Sequence, residues 1–202
     1  MTDADLIRRA REGDEPAFDA LMKQHQEAVF RFAYLLLGDR DEADDLAQES
    51  FIRAFRMLNR FDLERPFRPW LLKITANLAA NRRRAAGRYF AALRRWFVLT
   101  PASDPKVEQE AIQREETHAL WEAVRRLAQP DQEVIYLRYF LELSEADTAE
   151  ALGIAVGTVK SRLHRALARL RTEWGRTDNT IERQTTDNQS MLDQPPEKGG
   201  KE

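Results

Sequence analysis

A chain of 202 residues, 43% of them apolar, is long enough for one large domain or two small ones with packed cores. It holds no cysteine, which excludes disulfides and thiolate metal sites, and its three histidines, His25, His118 and His164, lie too far apart in sequence to suggest zinc. No apolar run approaches bilayer length and no apolar secretory segment opens the chain, so a soluble, cytoplasmic protein without a cofactor is expected.

The formal charge of −2 conceals a segregation of sign. Residues 59–95 carry 10 basic and 2 acidic side chains, a net +8, and residues 156–176 carry 6 and 1, a net +5. The blocks around them are acidic: 8 basic against 13 acidic over 1–58, 5 against 12 over 96–155, and 3 against 6 over 177–202. A uniformly solvated surface mixes its signs, so two basic islands in an acidic chain suggest two separate places that meet a polyanion.

Helical periodicity dominates, and no alternating strand pattern stands out. "DLIRRAREG" predicts a short helix stopped by Gly13. "PAFDALMKQHQEAVFRFAYLLLG" predicts a long one with Pro16 in its first turn and Gly38 at its end. Along it Phe18, Leu21, Met22, Val29, Phe32, Ala33 and Leu36 form one stripe expected to be buried. "DEADDLAQESFIRAFRML" follows, with Leu46, Ile52, Phe55 and Leu58 as its expected core.

The loop "NRFDLERPFRP", marked by Pro66 and Pro69, precedes a helix "WLLKITANLAANRRR" whose arginines suit a helix C-terminus. From about Ala85 to Glu115 the pattern breaks, and "TPASDPKVEQE" has a linker's composition. The apolar "RRWFVL" before it either docks on a neighbour or folds back on the first domain. Helices resume in "THALWEAVRRLAQ" and again after Pro130 in "DQEVIYLRYFLEL". Ser144, three residues before Asp147, is close to the capping-box pattern and opens a short helix that Gly153 ends. A basic helix follows the turn. The polar stretch after Arg176 is expected to be disordered.

Within Thr158 to Arg171, Val159, Leu163, Ala166, Leu167 and Leu170 fall on one stripe and are expected to face a core. The other face presents Thr158, Lys160, Ser161, Arg162, His164 and Arg165. A short helix, a glycine turn and a second helix with a cationic outer face make a helix-turn-helix, whose second helix suits the major groove. A solvated amphipathic helix is the plainer alternative. The cap, the turn and the preceding helix together favour DNA over it.

Four segments in order, "GDEPAFDALMKQHQEAVFRFAYLLLGDRDEADDLAQESFIRAF", "FRPWLLKITANLAANRRR", "LAQPDQEVIYLRYFLELS" and "LGIAVGTVKSRLHRALARLR", resemble the extracytoplasmic-function group of bacterial RNA polymerase sigma factors. The resemblance covers nearly everything from Asp3 to Arg171. It implies an all-α protein of two small helical domains joined by a flexible linker: an N-terminal domain over 1–90, a linker over 91–115, a helix-turn-helix domain over 116–175 and a polar tail over 176–202. It implies a non-catalytic factor that binds core RNA polymerase and directs promoter-specific initiation.

By the same resemblance, "DDLAQESFIRAF" meets the clamp helices of the polymerase's largest subunit through Asp45, Gln48, Glu49 and Ile52. The melted promoter element is held by Arg53, Phe61, Lys73 and Asn77, with Asp62 to Pro66 shaping a pocket for one flipped base. The upstream element is read as duplex by Lys160, Ser161, His164 and Arg165, with Thr158 and Arg162 on phosphates. An anti-sigma factor that masks these surfaces is a further implied partner. Phe67 and Trp70 are expected to be mainly core, and Arg82 to Arg84 to contact phosphate or supply helix-end charge.

Three positions depart from the family's habit. Thr148 stands where an aliphatic residue is common, Glu145 where an aromatic is, and Ala155 where proline is frequent, so looser packing of the first helix and a softer turn are expected. Three rivals remain to be weighed. A conventional helix-turn-helix regulator acting without being a polymerase subunit would not need the loop "NRFDLERPFRPW". A hydrolase built on Asp44, Asp45 and Glu49 lacks a nucleophile, a phosphate-binding loop and a metal cluster. A helical adaptor would show no salt-dependent DNA binding.

Overall fold

The computed structural model describes the backbone of residues 1–96 and 113–172, and the side chains of 1–85 and 120–172. Every regular element among them is helical: α1 (Asp3–Arg11), α2 (Glu15–Leu37), α3 (Arg40–Met57), a 3-10 turn (Leu58–Arg60), α4 (Phe67–Trp96), α5 (Gln113–Arg126), α6 (Gln129–Ile135) continued by a π-helical turn (Tyr136–Phe140), and α7 (Glu145–Leu152). A last helix, α8, spans 156–172. The remaining linker, over 97–112, and the tail from 173 lie outside the described residues, as does the end of "RRWFVL".

Local chemistry explains where these helices begin and end. The Thr2 side chain accepts from the Asp5 amide at 3.3 Å, and the Asp5 carboxylate takes up the Thr2 amide and hydroxyl, closing a capping box. Those hydrogen bonds hold the Asp5 carboxyl below its ordinary pKa. Asp14 and Asp39 cap α2 and α3 in the same way, accepting from Ala17 and Glu42 amides. Gly38 ends α2 at φ +78°, a left-handed conformation that costs a side chain but not glycine.

Two compact units emerge. The first holds the described part of α1–α4 together with residues 133–163; the second holds α5, the chain up to Gln132, and α8 from His164 onward. In the first, α2 packs on α1, α3 and α4, and α4 also packs on α3 and α7. Its core is Leu6, Ile7, Leu21, Val29, Phe32, Leu36, Leu46, Phe51, Leu71 and Leu72, all buried. Phe61, Phe67 and Trp70 form an aromatic cluster with ring centroids 4.8 to 5.4 Å apart. In the second unit, Ala166 is buried and the Asp131 carboxylate, itself buried, accepts from Arg169. Gln132 Nε2 donates to the carbonyls of Arg125 and Leu127 at 2.8 and 2.7 Å, closing the end of α5.

Several expectations need correction. The α2 stripe buries Leu21, Val29, Phe32, Ala33 and Leu36, but Phe18 and Met22 are only half-buried. On α3, Ile52 and Phe55 are 53% and 55% exposed; small residues, Ala43, Ala47, Ser50 and Ala54, turn inward instead and let the helices approach. The helix α4 does not stop at its arginines but runs on to Trp96. The stretch "AAGRYFAALRRW" is mostly good helix formers, and one glycine costs only about 1 kcal/mol against them. Arg82 to Arg84 are therefore mid-helix, not helix-end charge.

Candidate nucleic-acid interface

Exposure on α8 follows the amphipathic pattern. Val159 and Ala166 are buried and Thr158, Arg162 and Leu163 half-buried, while Lys160, Ser161, His164 and Arg165 are exposed. Residues three and four apart lie on one helical face, so Ser161, His164 and Arg165 stand together with Lys160 beside them. Lys160 Nζ lies 3.4 Å from Glu145 on α7, and Ser161 Oγ donates to the Thr158 carbonyl at 3.2 Å. The departure at Glu145 thus has a structural consequence: it supplies an acidic partner to a cation of α8.

The helix before it is held by Ser144, whose Oγ accepts from the Asp147 amide at 3.0 Å and donates to its carboxylate at 2.7 Å. Gly153 closes that helix at φ +65°. Thr148 is fully buried with its Oγ1 lacking a hydrogen-bond partner. The amides of Thr158 and Val159 bond to the Ala155 carbonyl, so α8 starts on a residue with no capping side chain.

The second set of candidates lies in the first unit. Lys73 and Asn77 are one turn apart on α4, half-buried and exposed, and Arg53 is exposed on α3. The loop between them is ordered by its own bonds: Asp62 Oδ1 accepts from the Glu64 amide at 3.0 Å, and the Asp62 carbonyl from the Arg65 amide at 3.1 Å. Arg11, which sequence reasoning missed, donates from Nε to the Leu58 carbonyl at 3.1 Å and from Nη2 to the Phe61 carbonyl, pinning the loop's start to α1. A basic residue in the last turn of a short helix carries no signal for so distant a partner. Phe61 itself is buried against Phe67 and Trp70, so its ring backs the loop and is not open for stacking on a base.

The third set shares one face of α3, where Asp45, Gln48, Glu49 and Ile52 are all exposed at helical spacing. Glu49 pairs with Arg82 of α4 at 2.9 Å, and a second Arg82 nitrogen donates to the Glu42 carbonyl. Gln48 and Ile52 line an open groove of about 1150 Å3 between α2 and α3. Its floor is apolar, with Phe18, Met22, Phe30 and Phe55, and Asp19 and Asp44 stand on its rim. Phe18 and Phe55 meet edge-on at 4.8 Å. Periodicity alone points Phe18, Met22 and Phe55 toward a core, whereas Phe18 and Met22 are half-buried and Phe55 is exposed. Among the described residues no cluster of three or more His, Asp or Glu is placed to hold a metal ion, and no helix is long and apolar enough to cross a membrane.

Two family models match the chain: sigma-70 region 2 over residues 21–89 and sigma-70 region 4 over residues 117–170. The ECF RNA polymerase sigma factor SigW of Bacillus subtilis is 31% identical over 175 residues, covering 83% of this chain and 94% of that protein. The chain belongs to the extracytoplasmic-function sigma factors. The sigma-H factor of Pseudomonas aeruginosa is 33% identical over 172 residues, 81% of this sigma factor and 89% of that one. Two solved structures are similar at 26% identity. CnrH in complex with the cytosolic domain of CnrY has a TM-score of 0.63, covering 84% of this chain and 95% of that one. RpoE of Bartonella quintana, crystallised with the anti-sigma factor NepR, has a TM-score of 0.62, covering 77% and 95%.

Sigma factors bind RNA polymerase and promoter DNA and direct transcription initiation as non-catalytic regulators, and this chain is one of them. Its two helical domains correspond to regions 2 and 4.

Proposed function

We propose a division of labour in which residues 1–90 bind core polymerase and hold the melted promoter element, while residues 116–175 read the upstream element as duplex. The observation that carries it is the pairing of an apolar, acid-rimmed groove on α2 and α3 with a separate cationic face on α8. Asp45, Gln48, Glu49 and Ile52 meet the clamp helices of the largest subunit. Ile52 and Phe55 supply buried area, and the carboxylates steer docking and register.

Arg53, Lys73 and Asn77 contact the opened strand, Asn77 through a base edge and the cations through phosphate, while Asp62 to Pro66 wall the pocket and Phe61 supports it from behind. Base capture offsets the few kcal/mol lost per unstacked base. On α8, Lys160, Ser161, His164 and Arg165 face base edges and Thr158 and Arg162 lie toward phosphate. Two modest affinities on one chain act together through effective concentration. The protein works in the cytoplasm, and an anti-sigma factor covers these surfaces until a signal removes it, as the relatives solved with NepR and CnrY support by analogy.

Changing Lys160 and Arg165 together to Ala tests the division. Upstream-element recognition by the reconstituted holoenzyme should fall while affinity for core polymerase stays unchanged. Loss of core binding in the same variant would count against the assignment of α8.

A further inference from the structure

The first turn of α7 carries two carboxylates with different tasks. Asp147 belongs to the cap: its carboxylate accepts from the Ser144 hydroxyl at 2.7 Å, and its amide donates to the same oxygen at 3.0 Å. Glu145 reaches instead to α8, where its Oε2 lies 3.4 Å from Lys160 Nζ. The Ser144 cap fixes the backbone that carries Glu145, and the left-handed Gly153 ends α7 so that the chain can turn into α8. The amide end of α7 favours the ionised carboxylate. The Lys160 side chain is 63% exposed and that of Glu145 38%, so an acid on a capped backbone holds the end of a long, solvated stem.

A lysine on a recognition helix has two kinds of target. Its ammonium can swing to a phosphate, where it displaces counterions and carries no sequence information, or lie in the groove against a base edge. A carboxylate beside it changes that balance in two ways. A duplex that meets Lys160 also meets the field of Glu145, because their separation of 3.4 Å is well inside a Debye length of about 8 Å. The phosphates repel that charge, which lowers affinity for any sequence. The ion pair also restricts the stem. An ammonium has three donors, and one turned toward Glu145 leaves two, the number that O6 and N7 of guanine accept.

We infer that Glu145 is a positioning residue that lowers affinity and sharpens base choice: it draws Lys160 off the phosphates and holds its ammonium against one guanine of the upstream element. The inference rests on the reading of α8 given above, in which Lys160 faces base edges, and adds the residue that decides how strictly it does so.

The test uses holoenzyme reconstituted with core polymerase and a pool of promoter fragments randomised over the upstream element, bound, recovered and sequenced. Glu145→Gln keeps the shape of the side chain and removes its charge. It should flatten a guanine preference at one position of that element. It should also tighten binding to a fragment with a scrambled upstream element by about two- to fivefold, the range for one exposed ion pair. The salt slope should steepen by about 1 as Lys160 takes up a phosphate. Damage to α7 alone would weaken binding to every fragment alike, so tightening separates positioning from a merely structural role. Lys160→Ala should flatten the preference at the same position, and adding Glu145→Gln to it should change that preference no further.

Unchanged preference with Glu145→Gln, or weaker binding to the scrambled fragment, would overturn the inference; if Lys160→Ala still flattens one position, the reading of α8 stands without it. Should Lys160→Ala leave every position unchanged, both fall. A further shift of preference on adding Glu145→Gln to Lys160→Ala would mean that the carboxylate reads a base itself, by accepting from cytosine N4, and would also overturn the positioning role.

Discussion

Replacing Ile52 and Phe55 together by alanine should weaken core polymerase binding by about thirtyfold. The two side chains are 53% and 55% exposed in the free protein. Full burial of such a side chain stabilises by about 1.5–3 kcal/mol, so docking that covers the exposed half gains about 1 kcal/mol from each. Their sum, about 2 kcal/mol, corresponds to about thirtyfold in Kd, with some departure from additivity because the residues share one groove. The assay is a titration of dye-labelled sigma factor with core polymerase followed by anisotropy. Phe55 also rests edge-on against Phe18, a contact worth about 1 kcal/mol, so thermal melting must show the double variant still folded at the assay temperature. A folded double variant that binds core within about twofold of wild type would refute the groove as the docking surface.

Other substitutions probe separate links. Asn77→Ala should reduce strand opening, read by permanganate reactivity of promoter thymines, more than closed-complex formation; equal loss of both would remove the residue from the pocket. Lys160→Ala should lower the salt slope of upstream-duplex binding by about 1 if the side chain meets a phosphate, and relax base preference at one position if it reads an edge. Thr148→Val removes a buried hydroxyl without a partner and should raise stability to urea by about 1 kcal/mol with no effect on DNA affinity. Glu142→Gly relieves a left-handed backbone at φ +56° and should stabilise by about 1 kcal/mol, less whatever the freer unfolded chain gains.

What was legible in the chain follows from which interactions are local. Caps at Ser144, Gly38 and Gly153 show in the sequence because their partners lie within a few residues, and the helix-turn-helix follows from them. The amphipathic stripe of α8 follows from the helical period, and of its five residues Val159 and Ala166 are buried while Leu163, Leu167 and Leu170 are half-buried. Periodicity failed on α2 and α3, where Phe18, Met22, Ile52 and Phe55 carry the apolar signal of a core but face an open groove. A stripe reports that a face is apolar and not what covers it. Phe61 erred in the opposite direction, since an aromatic in a polar loop resembles a stacking platform until Phe67 and Trp70 are seen against it. Arg11, Arg31 and Arg68 were illegible because each donates to backbone carbonyls dozens of residues away, and a carbonyl has no sequence signature.

Run-off transcription on a genomic fragment library, with core polymerase free of any other specificity subunit, bears most directly on the division between α8 and the first domain. Wild-type protein should select discrete start sites that share an upstream and a downstream element. The Lys160→Ala, Arg165→Ala double variant should bind core equally well yet lose the requirement for the upstream element while keeping the downstream one. Start sites unchanged in position and strength with that variant, or none selected by the wild-type protein, would contradict the account.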